Sequence, residues 1–108
     1  MEVPEIDVDE LEARRGTGAV IVDVREPDEY VEAHVPGALL VPLATVPDEL
    51  DEAIPIDATV YVICEVGSRS RRAAAFLRSR GVDAINVAGG TTAWLAAGKP
   101  HVTGPDAG

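Results

Sequence analysis

The sequence has one cysteine, Cys64, so no internal disulfide can form. Its two histidines, His34 and His101, lie far apart in the chain, which argues against a four-ligand zinc site. Nine Lys and Arg stand against nineteen Asp and Glu, a formal net charge of −10. That balance disfavours nucleic acid and anionic membranes as partners. No apolar run approaches the roughly 18 residues that a membrane span needs. The stretch Met1-Glu2-Val3-Pro4-Glu5 is acidic and lacks the basic-then-apolar pattern of a secretory signal. A cytoplasmic location is therefore the expectation. There are no internal repeats and no low-complexity segment.

What is present suits one globular domain. The length of 108 residues is enough for one core without metal or disulfide staples. Residues 1–100 read as that domain. Residues 101–108 carry Gly, Pro and Asp with little to bury, so a mobile tail is expected. Charge is uneven along the chain. Residues 1–53 hold 15 acids against Arg14, Arg15 and Arg25, whereas residues 54–108 hold four acids against six bases. Five of those bases, Arg69, Arg71, Arg72, Arg78 and Arg80, follow Cys64 closely. A solvated basic helix accounts for most of them, with Arg69 the exception.

Four short, nearly continuous apolar runs read as strands buried on both faces: Ala19–Val24, Ala38–Val41, Thr59–Ile63 and Ala84–Val87. Helical signals lie between them. Asp7 with Glu10 looks like a capping box for a helix that stops near Gly16. Glu26-Pro27 and Pro47-Asp48-Glu49-Leu50 open short helices. Ser68–Arg80 has an apolar face of Ala73, Phe76 and Leu77, a basic last turn, and Gly81 where a left-handed cap belongs. A last helix covers about Thr91–Ala97. Strands alternating with helices imply an α/β fold, a mostly parallel sheet of about four to five strands with helices on both faces.

The strand Thr59–Ile63 runs directly into Cys64-Glu65-Val66-Gly67-Ser68-Arg69-Ser70, where a helix begins. In open α/β sheets, ligands bind beyond the carboxyl ends of strands. A loop of this length can curl so that backbone N–H groups point inward at the sulfur, and Gly67 permits the backbone angles needed. The following helix aims its positive end at the same point. Arg69 adds a permanent charge and a fork of donors suited to oxyanions. Each feature favours thiolate over thiol, in surroundings of the kind that lower a cysteine pKa from about 8.5 into the range of roughly 3.5–7.5. The same surroundings would stabilise a persulfide anion.

Three motifs together resemble the rhodanese family over about residues 5–100. Asp23-Val24-Arg25-Glu26-Pro27 with Glu29-Tyr30, then Ala33-His34-Val35-Pro36-Gly37-Ala38, resembles its amino-terminal signature. Cys64 through Arg69 resembles its six-residue active-site loop. Gly89-Gly90 with Trp94, Gly98 and Pro100 resembles its carboxy-terminal signature. The resemblance implies a sulfurtransferase with Cys64 as the catalytic nucleophile. The loop residues Glu65, Val66, Gly67, Ser68, Arg69 and Ser70 would bind the donor, and Asp23 and Arg25 would support them. Sulfur would pass from a small anionic donor such as thiosulfate to cyanide or a thiol through a Cys64 persulfide, with no metal or organic cofactor. Alternatives are a carrier whose Cys64 is loaded or unloaded by a partner protein, and a non-catalytic binding module.

The flanking residues also have plain structural readings. Asp23 and Arg25 read as an ion pair that ties down loops around the site. His34 reads as a hydrogen-bonded structural residue and Trp94 as core. Glu65 and Val66 depart from relatives that carry basic residues just after the cysteine, and an inward-pointing Glu65 would repel a dianionic donor. Phosphatases and arsenate reductases use Cys-x5-Arg, whereas this loop is Cys-x4-Arg, a ring better suited to one sulfur atom than to phosphate. A redox-sensing thiol is the remaining rival.

Overall fold

The computed structural model describes residues 2–50 and 52–108. Among them five strands form one sheet: β1 (Glu5–Ile6), β2 (Val20–Asp23), β3 (Leu39–Leu40), β4 (Thr59–Ile63) and β5 (Asp83–Val87). Their order across the sheet is β1-β5-β4-β2-β3, and every pairing is parallel. The helices are α1 (Val8–Arg15), α2 (Pro27–Glu32), α3 (Val46–Glu49), α4 (Ser68–Ser79) and α5 (Gly90–Ala96), with a 3₁₀ turn at Leu43–Thr45. No helix among the described residues is long and apolar enough to cross a membrane.

Strand alternation divides the interior into two cores. On one face Val60, Val62 and Cys64 of the β4 run pack with Val22, Val24 and the α4 residues Ala73, Ala74 and Leu77. On the other, Ile21, Tyr61 and Ile63 pack with Leu11 of α1, Tyr30 of α2 and Trp94 of α5. The sheet is thus covered on both sides, as its double-sided apolar strands require. The period of two also assigns Cys64 to the α4 face.

The expected strands and helices are all present, with ends moved by a residue or two. Asp7 accepts the Glu10 amide at 2.9 Å and caps α1. Gly81, at φ +86°, closes α4 with Val82 N–H on the Leu77 carbonyl at 3.0 Å. β1 and the 3₁₀ turn were not expected, since two residues with one apolar side chain carry no period.

The last eight residues, whose composition gave mobility as the expectation, lie against the segment after α2. His34 and Val102 exchange both backbone hydrogen bonds at 2.9 Å, and across the same seam Gly37 N–H donates to the Ala107 carbonyl at 2.7 Å and Gly104 N–H to the Val31 carbonyl at 2.8 Å. The buried His34 ring stacks on Tyr30 and places its two nitrogens 2.8 Å from the Tyr30 and Asp106 carbonyls. Backbone pairing, not side-chain burial, holds this tail, and composition does not encode it.

Candidate active site

β4 delivers Cys64 to the carboxyl edge of the sheet with no exposed surface. Gly67, at φ +109°, breaks the extended course and α4 begins at Ser68. The Gly67 N–H donates to Cys64 Sγ at 3.1 Å and the Ser70 hydroxyl lies 3.3 Å from it. Burial alone pushes the Cys64 thiol up. The Ser70 hydroxyl and the amides of Ser70, Gly67 and Val66 outweigh it and hold the thiol below its ordinary value.

The amides can face inward because the carbonyls are held outward. Thr91 N–H donates to the Cys64 carbonyl at 2.9 Å, and Thr92 N–H to the Glu65 carbonyl at 3.0 Å. Both donors belong to the first turn of α5, whose amides lack partners within the helix. Gly89 and Gly90 have φ of +82° and +59°, which swings that turn onto the loop. A Cβ at Gly90 would stand 2.5 Å from both carbonyl oxygens.

Ser70 is fixed by a third chain. Its hydroxyl is 2.5 Å from Asn86 Oδ1, and Asn86 Nδ2 donates to Glu5 Oε2 at 2.8 Å and to the Gly67 carbonyl at 3.2 Å. Asn86 comes from β5 and shares the α4 face with Ala84, two residues before it. The single Ser70 proton serves one acceptor at a time, Asn86 or the sulfur. With alanine at 70 the buried sulfur keeps its amides and loses its hydroxyl. Since the thiolate is the reactive form, the Ser70→Ala pH profile is expected to lie at higher pH. Alkylation of Cys64 near pH 7 should slow by about tenfold, the worth of one hydrogen bond to an anion. Stopped-flow iodoacetamide kinetics across pH measures this.

The loop is clasped by two ion pairs, one from Arg25 just before α2 and one from Glu29 on α2. Arg25 is buried, bonded to Asp23 through Nε at 3.0 Å and Nη2 at 2.8 Å, and to the Ala33 carbonyl at 2.8 Å. Its Nη1 reaches Glu65 Oε1 at 3.1 Å. Glu65 also accepts from the Thr92 hydroxyl at 2.9 Å, so its carboxylate is engaged by protein groups on both oxygens. Arg69 makes a two-pronged bond to Glu29, both N–O distances 2.8 Å. The Arg69 guanidinium holds the Glu29 carboxyl down at about 2 despite partial burial. Val66 is 59% exposed at the loop's outer rim, and Ser68 is exposed on the first turn of α4.

The expected residues Cys64 to Ser70 therefore form one unit with Asp23 and Arg25. Arg69, expected to present its fork to an oxyanion, is instead bonded to Glu29. Sequence reasoning placed Glu29 in the amino-terminal signature without a role at the site, and gave none to Asn86, Thr91 or Thr92. Asn86 carried a signal, an amide within an apolar strand on the α4 face; the others carried none that spacing reveals. Among the described residues no three His, Cys, Asp or Glu side chains are grouped as metal ligands would be.

A cysteine at a strand end, ringed by inward amides and a helix start, defines the class of α/β proteins that hold a reactive thiolate in an anion nest. The family profile described as a Rhodanese-like domain matches residues 7–97. A protein named sulfurtransferase from Allochromatium vinosum is 36% identical over 93% of this chain and 95% of its own length. The thiosulfate sulfurtransferase GlpE of Pseudomonas putida is 38% identical over 80% of this chain and 78% of its own. The crystal structure of a rhodanese-related protein from Thermoplasma volcanium superposes with a TM-score of 0.87 at 27% identity, covering 94% of this chain and 99% of that one. The chain belongs to the rhodanese family, and its activity class is that of a rhodanese-type sulfurtransferase.

Proposed function

We propose that Cys64 carries the transferred sulfur as a persulfide, taken from a donor such as thiosulfate and passed to cyanide or a thiol. The observation that carries this reading is the convergence of amide and hydroxyl donors on Sγ, which stabilises an anion there and lowers the thiol below its ordinary value. In the first step the Cys64 thiolate attacks the outer sulfur of thiosulfate. The S–S bond of the donor breaks, its electron pair leaves with sulfite, and Cys64 becomes a persulfide anion. In the second step the acceptor attacks the terminal sulfur. The new Cys64–sulfur bond breaks, and its pair returns to Cys64 as thiolate. With cyanide the product is thiocyanate. The same amides meet the anion at every stage, so little reorganisation accompanies either step.

A carrier role is the second reading, favoured by the absence of any other cysteine in the chain. Nothing internal can resolve the persulfide, so the acceptor comes from outside, whether a small thiol or a partner protein. The family names of the relatives and the intact Cys64 loop support transfer over a purely structural module.

Intact-protein mass after incubation with thiosulfate tests the proposal, with Cys64→Ser as the control. A gain of one sulfur atom on the parent alone, removed by cyanide, is the expected result. No gain from thiosulfate with a thiol still open to alkylation would remove thiosulfate as donor.

A further inference from the structure

Cys64 has no exposed surface, yet the proposed chemistry requires a donor to reach its sulfur. Two cavities flank the loop, and Cys64 lines neither. The larger, of about 530 Å³, lies between α4 and the segment at Leu43–Pro47 and has Arg69 in its wall. The smaller, of about 260 Å³, lies between α2, Glu65 and α5 and has Glu29 in its wall. Arg69 and Glu29 are bonded to each other, so their ion pair is a bar that divides the two spaces at the mouth of the sulfur loop.

We propose that Glu29 is a positioning residue that sets donor specificity: it occupies the Arg69 fork that an anionic donor would otherwise take, so such a donor enters by displacing a built-in carboxylate. This rests on Cys64 being the sulfur-accepting thiol.

Three observations lead there. Both Glu29 oxygens are matched to the two terminal Arg69 nitrogens, a geometry in which arginine binds carboxylates and oxyanions, so the end-on edge of the fork is already filled. The Glu29 carboxyl is ionised throughout the working pH range, being held at about 2, so protonation does not open the bar. The pair is about one-third exposed, at 32% and 28% of its side-chain surface, so it is screened and exchangeable rather than locked in the core. An incoming anion exchanges one charge-assisted contact for another, and Arg69 follows it inward. A donor without negative charge gains nothing from Arg69 and meets the bar only as bulk. Glu29 thus penalises anionic donors selectively.

The test compares two alkylating agents of similar size, anionic iodoacetate and neutral iodoacetamide, on parent, Glu29→Gln, Glu29→Asp and Glu32→Gln. The neutral reagent reports thiolate fraction and access. The ratio of the two rates reports how the mouth treats an anion. In Glu29→Gln the iodoacetate/iodoacetamide ratio is expected to rise about fivefold, since an ion pair about one-third exposed is released. Sulfur uptake at limiting thiosulfate, followed by mass, should quicken to match. Glu29→Asp keeps the charge and should stay near the parent. Glu32→Gln removes an equal charge from the same helix and the same smaller cavity without releasing Arg69, and should also stay near the parent.

An unchanged ratio in Glu29→Gln would overturn the inference, as would an equal rise in Glu32→Gln, which would reduce it to net charge. A Cys64 sealed to both reagents in every variant would overturn it too, because the bar would not be what controls entry. If the ratio changes as expected while no donor ever adds sulfur to Cys64, the bar stands as an anion filter and the sulfur-transfer reading falls.

Discussion

Gly90→Ala is expected to destabilise the fold by about 3 kcal/mol and to return Cys64 toward ordinary thiol reactivity. Two costs combine. The backbone at φ +59° is left-handed, a conformation that costs an L side chain about 1 kcal/mol or more. The added methyl would also sit 2.5 Å from the Cys64 and Glu65 carbonyl oxygens. These are backbone atoms held by Thr91 and Thr92, so relief requires α5 to back away, at about 1–3 kcal/mol for overpacking. Backing away releases the two carbonyls, and with them the inward set of the amides around sulfur. In a domain of this size the melting temperature should fall by roughly 12–20 °C. Calorimetry on the variant measures the first effect and iodoacetamide kinetics the second. A Gly90→Ala protein with parental melting and parental thiol kinetics would show that α5 does not hold the loop.

Arg25→Met should have the second large effect, of about 3–5 kcal/mol in urea unfolding. Asp23 has no exposed surface and Arg25 2%, so deleting the guanidinium leaves a buried carboxylate without its counter-ion. Two other acceptors lose a donor at once, the carbonyls of Glu29 and Ala33. Glu65 loses its anchor as well. Adding Asp23→Asn removes the stranded charge while keeping an acceptor for the Arg25 backbone amide, which Asp23 Oδ1 binds at 3.0 Å. The double variant should therefore recover about half of the loss. A double variant no more stable than the single one would locate the cost in the carbonyls rather than in the charge.

These two sites differ in how plainly the sequence announces them. The strands were readable because their apolar runs are bounded by turn residues, and Cys64 was readable because a strand, a glycine and a helix start converge there. Asp23 and Arg25 sit two residues apart, near enough for local reasoning to pair them. Arg69 and Glu29 are 40 residues apart, and no periodicity links one acidic helix to one arginine among five. The partner of Arg69 is set by the crossing of α2 over the loop, a fact of packing. β1 escaped for a related reason: its two residues become a strand only because β5 offers an edge for them. The tail is held by backbone groups, which every sequence has.

The strand order has a consequence for how the protein is made. A chain emerging from synthesis completes β2, β3, β4 and the cysteine loop well before β5 and α5 exist. Yet the groups that turn the loop's carbonyls outward come from α5, and the amide that fixes Ser70 comes from β5. Glu5, which anchors Asn86, must then wait for a partner more than two-thirds of the chain away. The anchors of the cysteine loop therefore arrive only when the last elements dock, and the set of donors around the sulfur is fixed in place only with the finished fold.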